Sequence, residues 1–303
     1  KILVRAWTPA VFAERVDAEW QHLKDGPATL TGQEIERVKG FFSVPDYQSV
    51  DVDAVEASMQ ALASENKGFS RWLDRNVSPQ KQAGYAAVTL SLKPAGVAPG
   101  DVTDVQLEVI ADLADSFSFG EIRTTHNQNI VLADVAKTDL FSLWQLAKAA
   151  GLATPNIGTI NDMICCPGGD YCSLANAKSI PVAEAIQRKF DDLDYVYDLG
   201  DITLNISGCM NACGHHHVGH IGILGVDKKG EEWYQIQLGG SAGKDAALGN
   251  VLGPSLSRSA VVDSIEALLD VYVENRLLQE SFLSTYKRIG QAKFKERVYA
   301  PIT

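Results

Sequence analysis

Cys166 and Cys172 are separated by five residues, Cys209 and Cys213 by three, and 36 residues lie between the two pairs. Four thiolates can complete the shell of one zinc ion or hold the irons of a cubane cluster. Structural zinc pairs usually leave about two to four residues between their cysteines, so the five-residue gap fits zinc poorly and favours an iron–sulfur cluster. Spacing alone leaves zinc open. The first gap, Pro167-Gly168-Gly169-Asp170-Tyr171, is rich in small residues that would let backbone amides approach inorganic sulfide, and such hydrogen bonds tune a cluster's potential. Ser173 to Ala177 predicts a helix start just after Cys172, with the positive end of its dipole toward an anionic cluster.

All five cysteines fall between Cys165 and Cys213. A disulfide scaffold would spread them, so the clustering points to metal or redox chemistry. Cys165 adjoins Cys166 and is expected to be a packed free thiol. His215, His216, His217 and His220 could take up a metal adventitiously, but they are expected to form a structural loop. Gly239 to Lys244 (GGSAGK) falls one residue short of a phosphate-binding loop, and Asp245 stands where serine or threonine is needed, which excludes a nucleotide site. Its backbone amides remain available to a carboxylate.

The chain has 303 residues, 46% of them hydrophobic, enough for two buried cores. No stretch reaches the ~18 to 20 apolar residues of a membrane span, and no basic-then-apolar start suggests export, so the expectation is a cytoplasmic protein with no membrane association. A formal charge of −11 argues against nucleic-acid binding, which needs basic patches. The chain opens at Lys1 without methionine, and Lys1 to Trp7 (KILVRAW) reads as a strand in mid-structure; the expectation is a fragment.

These residues need a scaffold, and the pattern supplies one of α+β class. Residues 1–80 read as a helical connecting region, with Pro9 to Trp20 opening a helix and a polar break at Val77 to Gln82. A β-α-β-β-α unit follows over 81–153: strand Tyr85 to Leu92, helix Thr103 to Ser116, strands Glu121 to Thr125 and Asn129 to Leu132, and helix Leu140 to Ala150. Thr103 and Gln106 have capping-box spacing, and Leu107, Ile110, Ala111 and Ala114 share one helical face. The order resembles half of a ferredoxin-like module. Residues 154–303 form a second, mixed α/β domain. There Asp201 to Ser207 alternates apolar and polar residues as a strand with one buried face, running straight into Cys209. Ile221 to Val226 and Trp233 to Leu238 predict a hairpin, and Val261, Ile265, Leu268, Leu269 and Tyr272 an amphipathic closing helix.

The order Cys-x5-Cys, then Gly-Cys-x-Asn-x-Cys-Gly at 208–214, then Ile-Gly-Ile-Leu-Gly at 221–225, resembles the signature of siroheme-dependent sulfite and nitrite reductases. The resemblance covers roughly residues 83–300 and includes Arg123 to Val131 (RTTHNQNIV), similar to that family's second ferredoxin-like repeat. It implies a [4Fe-4S] cluster on Cys166, Cys172, Cys209 and Cys213, with Cys213 also bridging to the siroheme iron and Asn211 beside both groups. It makes 154–303 the iron–sulfur and siroheme domain, and it implies reduction of sulfite in sulfur assimilation, or of nitrite. Pro167 after Cys166 leans toward sulfite. Ferredoxin or a flavoprotein would donate electrons. Family members are about twice this length, so the chain resembles the carboxy-terminal half, and the amino-terminal half would supply most of the cationic residues that grip the anionic substrate. Arg123 and Asn127 lie where the other repeat contacts siroheme or substrate; here a structural role is expected at least equally.

Overall fold

The computed structural model describes residues 2–300. They divide into two compact units, one ending at Gln48 and the other beginning at Ser49. The first contains α1 (Ile2–Leu23) and α2 (Gly32–Lys39). Ile2 to Trp7 is helical, against the expected strand, and Lys1 lies outside the described residues. An apolar run fits strand and helix equally, and among the described residues no strand pairs with this one. α1 breaks at Thr8, whose φ of 72° precedes Pro9.

The second unit opens with α3 (Val52–Glu65) and α4 (Lys67–Asn76). A four-stranded antiparallel sheet of order β1-β2-β4-β3 follows, from β1 (Val77–Pro79), β2 (Tyr85–Leu90), β3 (Arg123–Thr124) and β4 (Ile130–Ala136). Inserted between its strands is α5 (Asp104–Phe117), and after them comes α6 (Leu140–Ala149). The Thr103/Gln106 capping box forms as expected. The segment expected as a plain break holds β1, an edge strand that ends in Pro79, where a missing amide costs no ladder bond. Phe69, Trp72, Val88, Leu90, Leu132, Leu143 and Trp144 are central to the core of this half.

The remaining elements are β5 (Ile164–Cys165), α7 (Ile180–Lys189), α8 (Leu193–Leu199), β6 (Leu204–Ser207), β7 (Ile221–Lys228), β8 (Glu231–Leu238), β9 (Asn250–Val251), α9 (Arg258–Asn275), α10 (Phe282–Ile289) and α11 (Gln291–Tyr299). The strands make one mixed sheet, β5-β6-β7-β8-β9, parallel from β5 to β7 and antiparallel after it. The β7–β8 hairpin forms as predicted. The predicted closing helix is α9, but α10 and α11 follow and pack with it through Phe282, Tyr286 and Phe294. The expectation for β6 needs correction: all four residues are buried, not one face. Ile206 and Leu204 enter the apolar core, while Asn205 and Ser207 are buried because they bind the loop that leaves Cys213.

Candidate iron–sulfur site

Both cysteine pairs lie at the carboxyl ends of neighbouring parallel strands. β5 pairs with β6 through Ile164–Asn205 and Cys165–Ile206, and the Cys166 amide continues the ladder to the Ile206 carbonyl at 3.1 Å. Beyond the strands the two loops stay joined. The Gly208 carbonyl accepts from the amides of Asn176 (2.9 Å) and Ala177 (3.1 Å), and the Gly208 amide donates to Cys166 Sγ at 3.1 Å. Ser179 Oγ lies 3.5 Å from the same sulfur. Both groups suit a thiolate ligand, whose sulfur is an acceptor.

The loops meet backbone against backbone. A Cβ on Gly208 would stand 2.6 Å from the Ala177 carbonyl oxygen and 2.8 Å from Gly168 Cα; one on Gly168, whose φ is +58°, would stand 2.4 Å from the Ser179 amide. Glycine is required at both positions by close approach, and at Gly168 by the left-handed backbone as well. The expected helix after Cys172 does not form. Ser173 to Ala177 is a turn whose final amides are spent on Gly208, and the helix α7 begins at Ile180 with Pro181 in its first turn.

On the second loop Ala212 and His215 take left-handed φ of 60° and 54°, folding the chain tightly around Cys213. The loop is anchored behind: Asn205 Nδ2 donates to the carbonyls of Gly214 (3.0 Å) and His215 (3.2 Å), and Ser207 Oγ accepts from the Gly214 amide at 3.1 Å. Cys209 is buried, Cys166 and Cys172 are half-buried, and Cys213 and Asn211 are exposed. All five cysteines are free thiols. Among the described residues no three His, Cys, Asp or Glu side chains converge on a point that one ion could fill. The four cysteines sit on two linked loops, and one of their sulfurs already receives an amide hydrogen bond, as a thiolate ligand of a cluster would.

Cys165 is packed as expected. Its Sγ reaches the Cys166 carbonyl at 3.3 Å, and burial pushes its thiol well above the ordinary range, with Cys166 adding to the effect. The histidine segment is built into the fold. His216 is buried, His220 Nδ1 accepts from the Thr203 amide at 3.3 Å, and the His217 carbonyl accepts from Gly249. Burial lowers the His220 pKa. In the Gly239 to Lys244 segment the Gly239 amide is committed to the His220 carbonyl and the Ser241 amide to Ala247, so these two are not offered to a carboxylate. Arg123 is exposed and pairs with Glu121, and the Asn127 carbonyl accepts from Lys93 Nζ.

That last contact leads to residues the sequence did not single out. Lys93, 1% exposed and three residues beyond β2, pairs at 2.6 Å with Asp162, two residues before β5. Asp162 also accepts from Asn129 Nδ2 (2.9 Å) and the Gly158 amide (3.0 Å). Burial lowers the Lys93 pKa, against the opposing pull of Asp162. Beside it, the Gln128 carboxamide makes two 2.8 Å bonds with the Cys165 backbone. The signal for these residues was present in the polar run Asn127-Gln128-Asn129 and in a lysine closing an apolar stretch, but their partners lie more than 30 residues away.

The comparisons agree with this geometry. The family model for the nitrite/sulfite reductase ferredoxin-like half domain matches residues 78–150, and that for the nitrite and sulphite reductase 4Fe-4S domain matches 158–302. Relatives include a ferredoxin–nitrite reductase of Synechococcus elongatus, 28% identical over 75% of this chain and 44% of its own length. A sulfite reductase [ferredoxin] 2 of Mycolicibacterium paratuberculosis is 30% identical over 67% of this chain and 39% of its own. The chain thus spans less than half the length of these curated relatives. In fold it is similar to the Mycobacterium tuberculosis NirA protein, at TM-score 0.64 and 24% identity over 96% of this chain and 48% of that one. With both domain models matched in order, and a relative 30% identical over 67% of the chain, the chain belongs to the siroheme- and [4Fe-4S]-dependent sulfite and nitrite reductase family.

Proposed function

We propose that this chain is the carboxy-terminal half of an assimilatory sulfite reductase haemoprotein, which reduces sulfite to sulfide with six electrons. The observation that carries the reading is the joining of the two cysteine loops by Gly208, which bonds Asn176, Ala177 and Cys166 at once. In this reading 1–80 is a connecting region, 81–153 a ferredoxin-like repeat and 154–303 the cofactor domain.

Cys166, Cys172, Cys209 and Cys213 would hold the cluster, and Cys213 would also reach the siroheme iron. Its exposure at the loop tip supports that outward role, and Asn211, exposed on the same loop, would border both groups. When bound, siroheme and cluster together supply single-electron transfer to one reacting atom. The protein's part is to fix the loops from behind through Asn205 and Ser207 and to direct the Gly208 amide at a ligand sulfur. The net charge of −11 is unsuited to gathering an anionic substrate, so the amino-terminal half of the enzyme would supply the positive field. Ferredoxin, part of the names of several relatives, is the proposed electron donor, with a flavoprotein as alternative. Five free thiols suit a reducing compartment such as the cytoplasm. No helix among the described residues is long and apolar enough to cross a membrane.

Reduction of nitrite to ammonia is the second reading, favoured by relatives named ferredoxin–nitrite reductase. Turnover of the full-length enzyme on each substrate decides: sulfite reduction is expected, and activity on nitrite alone would overturn the choice. A further reading is a non-catalytic iron–sulfur electron-transfer or structural metal module; if anaerobically purified protein lacked both iron and labile sulfide, the cluster assignment itself would fail.

A further inference from the structure

We infer that Gln128 is a positioning residue for the cluster, holding the strand that leads into Cys166 so that the sulfur meets the Gly208 amide. This rests on the proposed assignment of Cys166 as a cluster ligand. β5 is a two-residue edge strand, and one of its sides is paired with β6. On the other side Gln128 Oε1 accepts from the Cys165 amide and Gln128 Nε2 donates to the Cys165 carbonyl, both at 2.8 Å. One side chain thus stands in for a neighbouring strand.

Gln128 is itself held. Its φ is +58°, its amide donates to the Thr125 carbonyl, and Gly100 packs so closely that a Cβ there would meet Gln128 Cβ at 2.9 Å. The turn that carries it closes between Thr125 and Asn129, where the Thr125 amide and hydroxyl both donate to the Asn129 carbonyl. Cys165 is therefore clamped from two sides, by Ile206 in β6 and by Gln128 from the ferredoxin-like half. The next residue, Cys166, inherits that placement: its amide bonds Ile206 at 3.1 Å and its sulfur receives Gly208 at 3.1 Å. An amide hydrogen bond to a ligand sulfur stabilises the more negative, reduced cluster, so a shift of Cys166 that lengthens it should alter the potential as well as retention of iron.

The test uses the full chain, purified anaerobically with its cluster, as wild type, Gln128→Leu and Gln128→Glu. Gln128→Leu removes both bonds; Gln128→Glu keeps the acceptor for the Cys165 amide and loses the donor to its carbonyl. Readouts are iron per chain, the rate of iron loss to a chelator, the cluster's midpoint potential and the electron paramagnetic resonance spectrum of its reduced form. Gln106→Leu is the control, since Gln106 bonds the Ala150 carbonyl in the same half and touches neither cysteine loop. Gln128→Leu is expected to lose iron about tenfold faster, with a lower potential and altered g values, Gln128→Glu to be intermediate in iron loss, and the control to match wild type. A Gln128→Leu chain with wild-type iron loss, potential and spectrum would overturn the inference. Should Gln128→Leu fail to fold, wild-type values in Gln128→Glu would do so. If instead Cys166→Ser keeps a full, unaltered cluster, the underlying ligand assignment is what fails.

Discussion

Lys93 Nζ lies 2.6 Å from Asp162 Oδ1, with both side chains buried, and the pair ties the end of the ferredoxin-like sheet to the segment entering β5. Its remaining hydrogen bonds are filled by Asn127, Asn129 and Gly158. Removing one partner strands the other charge without water. Lys93→Met is therefore expected to destabilise by about 3 to 5 kcal/mol in denaturant melts. The double variant Lys93→Met/Asp162→Asn should lose clearly less than the sum of the two single changes, and strict additivity would show that the pair is not coupled.

Cys213 is exposed, so replacing it costs little packing. Cys213→Ser should melt within about 0.5 kcal/mol of wild type when cofactors are stripped from both. If Cys213 bridges as proposed, the full-length enzyme carrying this change should lose the coupling between siroheme and cluster, seen in the visible spectrum, together with the proposed sulfite reduction. Retained sulfite reduction would count against the bridge.

Gly208→Ala drives a methyl group into the Ala177 carbonyl at 2.6 Å, where the obstacle is backbone and cannot rotate away. Overpacking of this kind costs about 1 to 3 kcal/mol, and the two loops should separate to relieve it. Iron per chain is expected to fall along with the melting temperature. Full iron content in Gly208→Ala would show that the cluster tolerates separated loops.

Glu280 accepts from Arg288, Thr285 and the Leu277 amide, which together hold its carboxyl down at about 2, Arg288 contributing most. A depressed carboxyl stabilises the fold above its ordinary value of 4.5, and that contribution disappears as pH falls toward 2. Glu280→Gln should therefore melt below wild type near neutral pH, with the gap narrowing between about pH 4.5 and about pH 2. A gap that is independent of pH would exclude ionisation of Glu280 as its source.

What the sequence made legible was mainly local. The Thr103/Gln106 capping box and the β7–β8 hairpin are specified by residues within a few positions of one another, and both form. The two cysteine motifs were visible because ligand chemistry restricts residue type and spacing together. Other features depend on distant partners. β1 exists because Val77 to Pro79 finds β2, and β5 because Ile164 and Cys165 find β6; neither segment has a pattern of its own. Ser173 to Ala177 has a sequence compatible with a helix, but the Gly208 carbonyl captures the amides of Asn176 and Ala177 first. Asn205 and Ser207 looked like the wet face of a strand, and the alternation was right; what covers them is a loop that periodicity cannot reveal.

The two ends of the cofactor-domain sheet share a device. β5 is closed by the carboxamide of Gln128, and β9, also two residues long, gives the Val251 carbonyl to Gln291 Nε2 at 2.7 Å. Exposed strand edges recruit strands from other molecules and seed aggregation. Short edges closed by side chains give a newly made chain still awaiting its iron little to offer a neighbour. The glutamine beside the cysteines would then protect solubility during maturation as well as serving the finished centre.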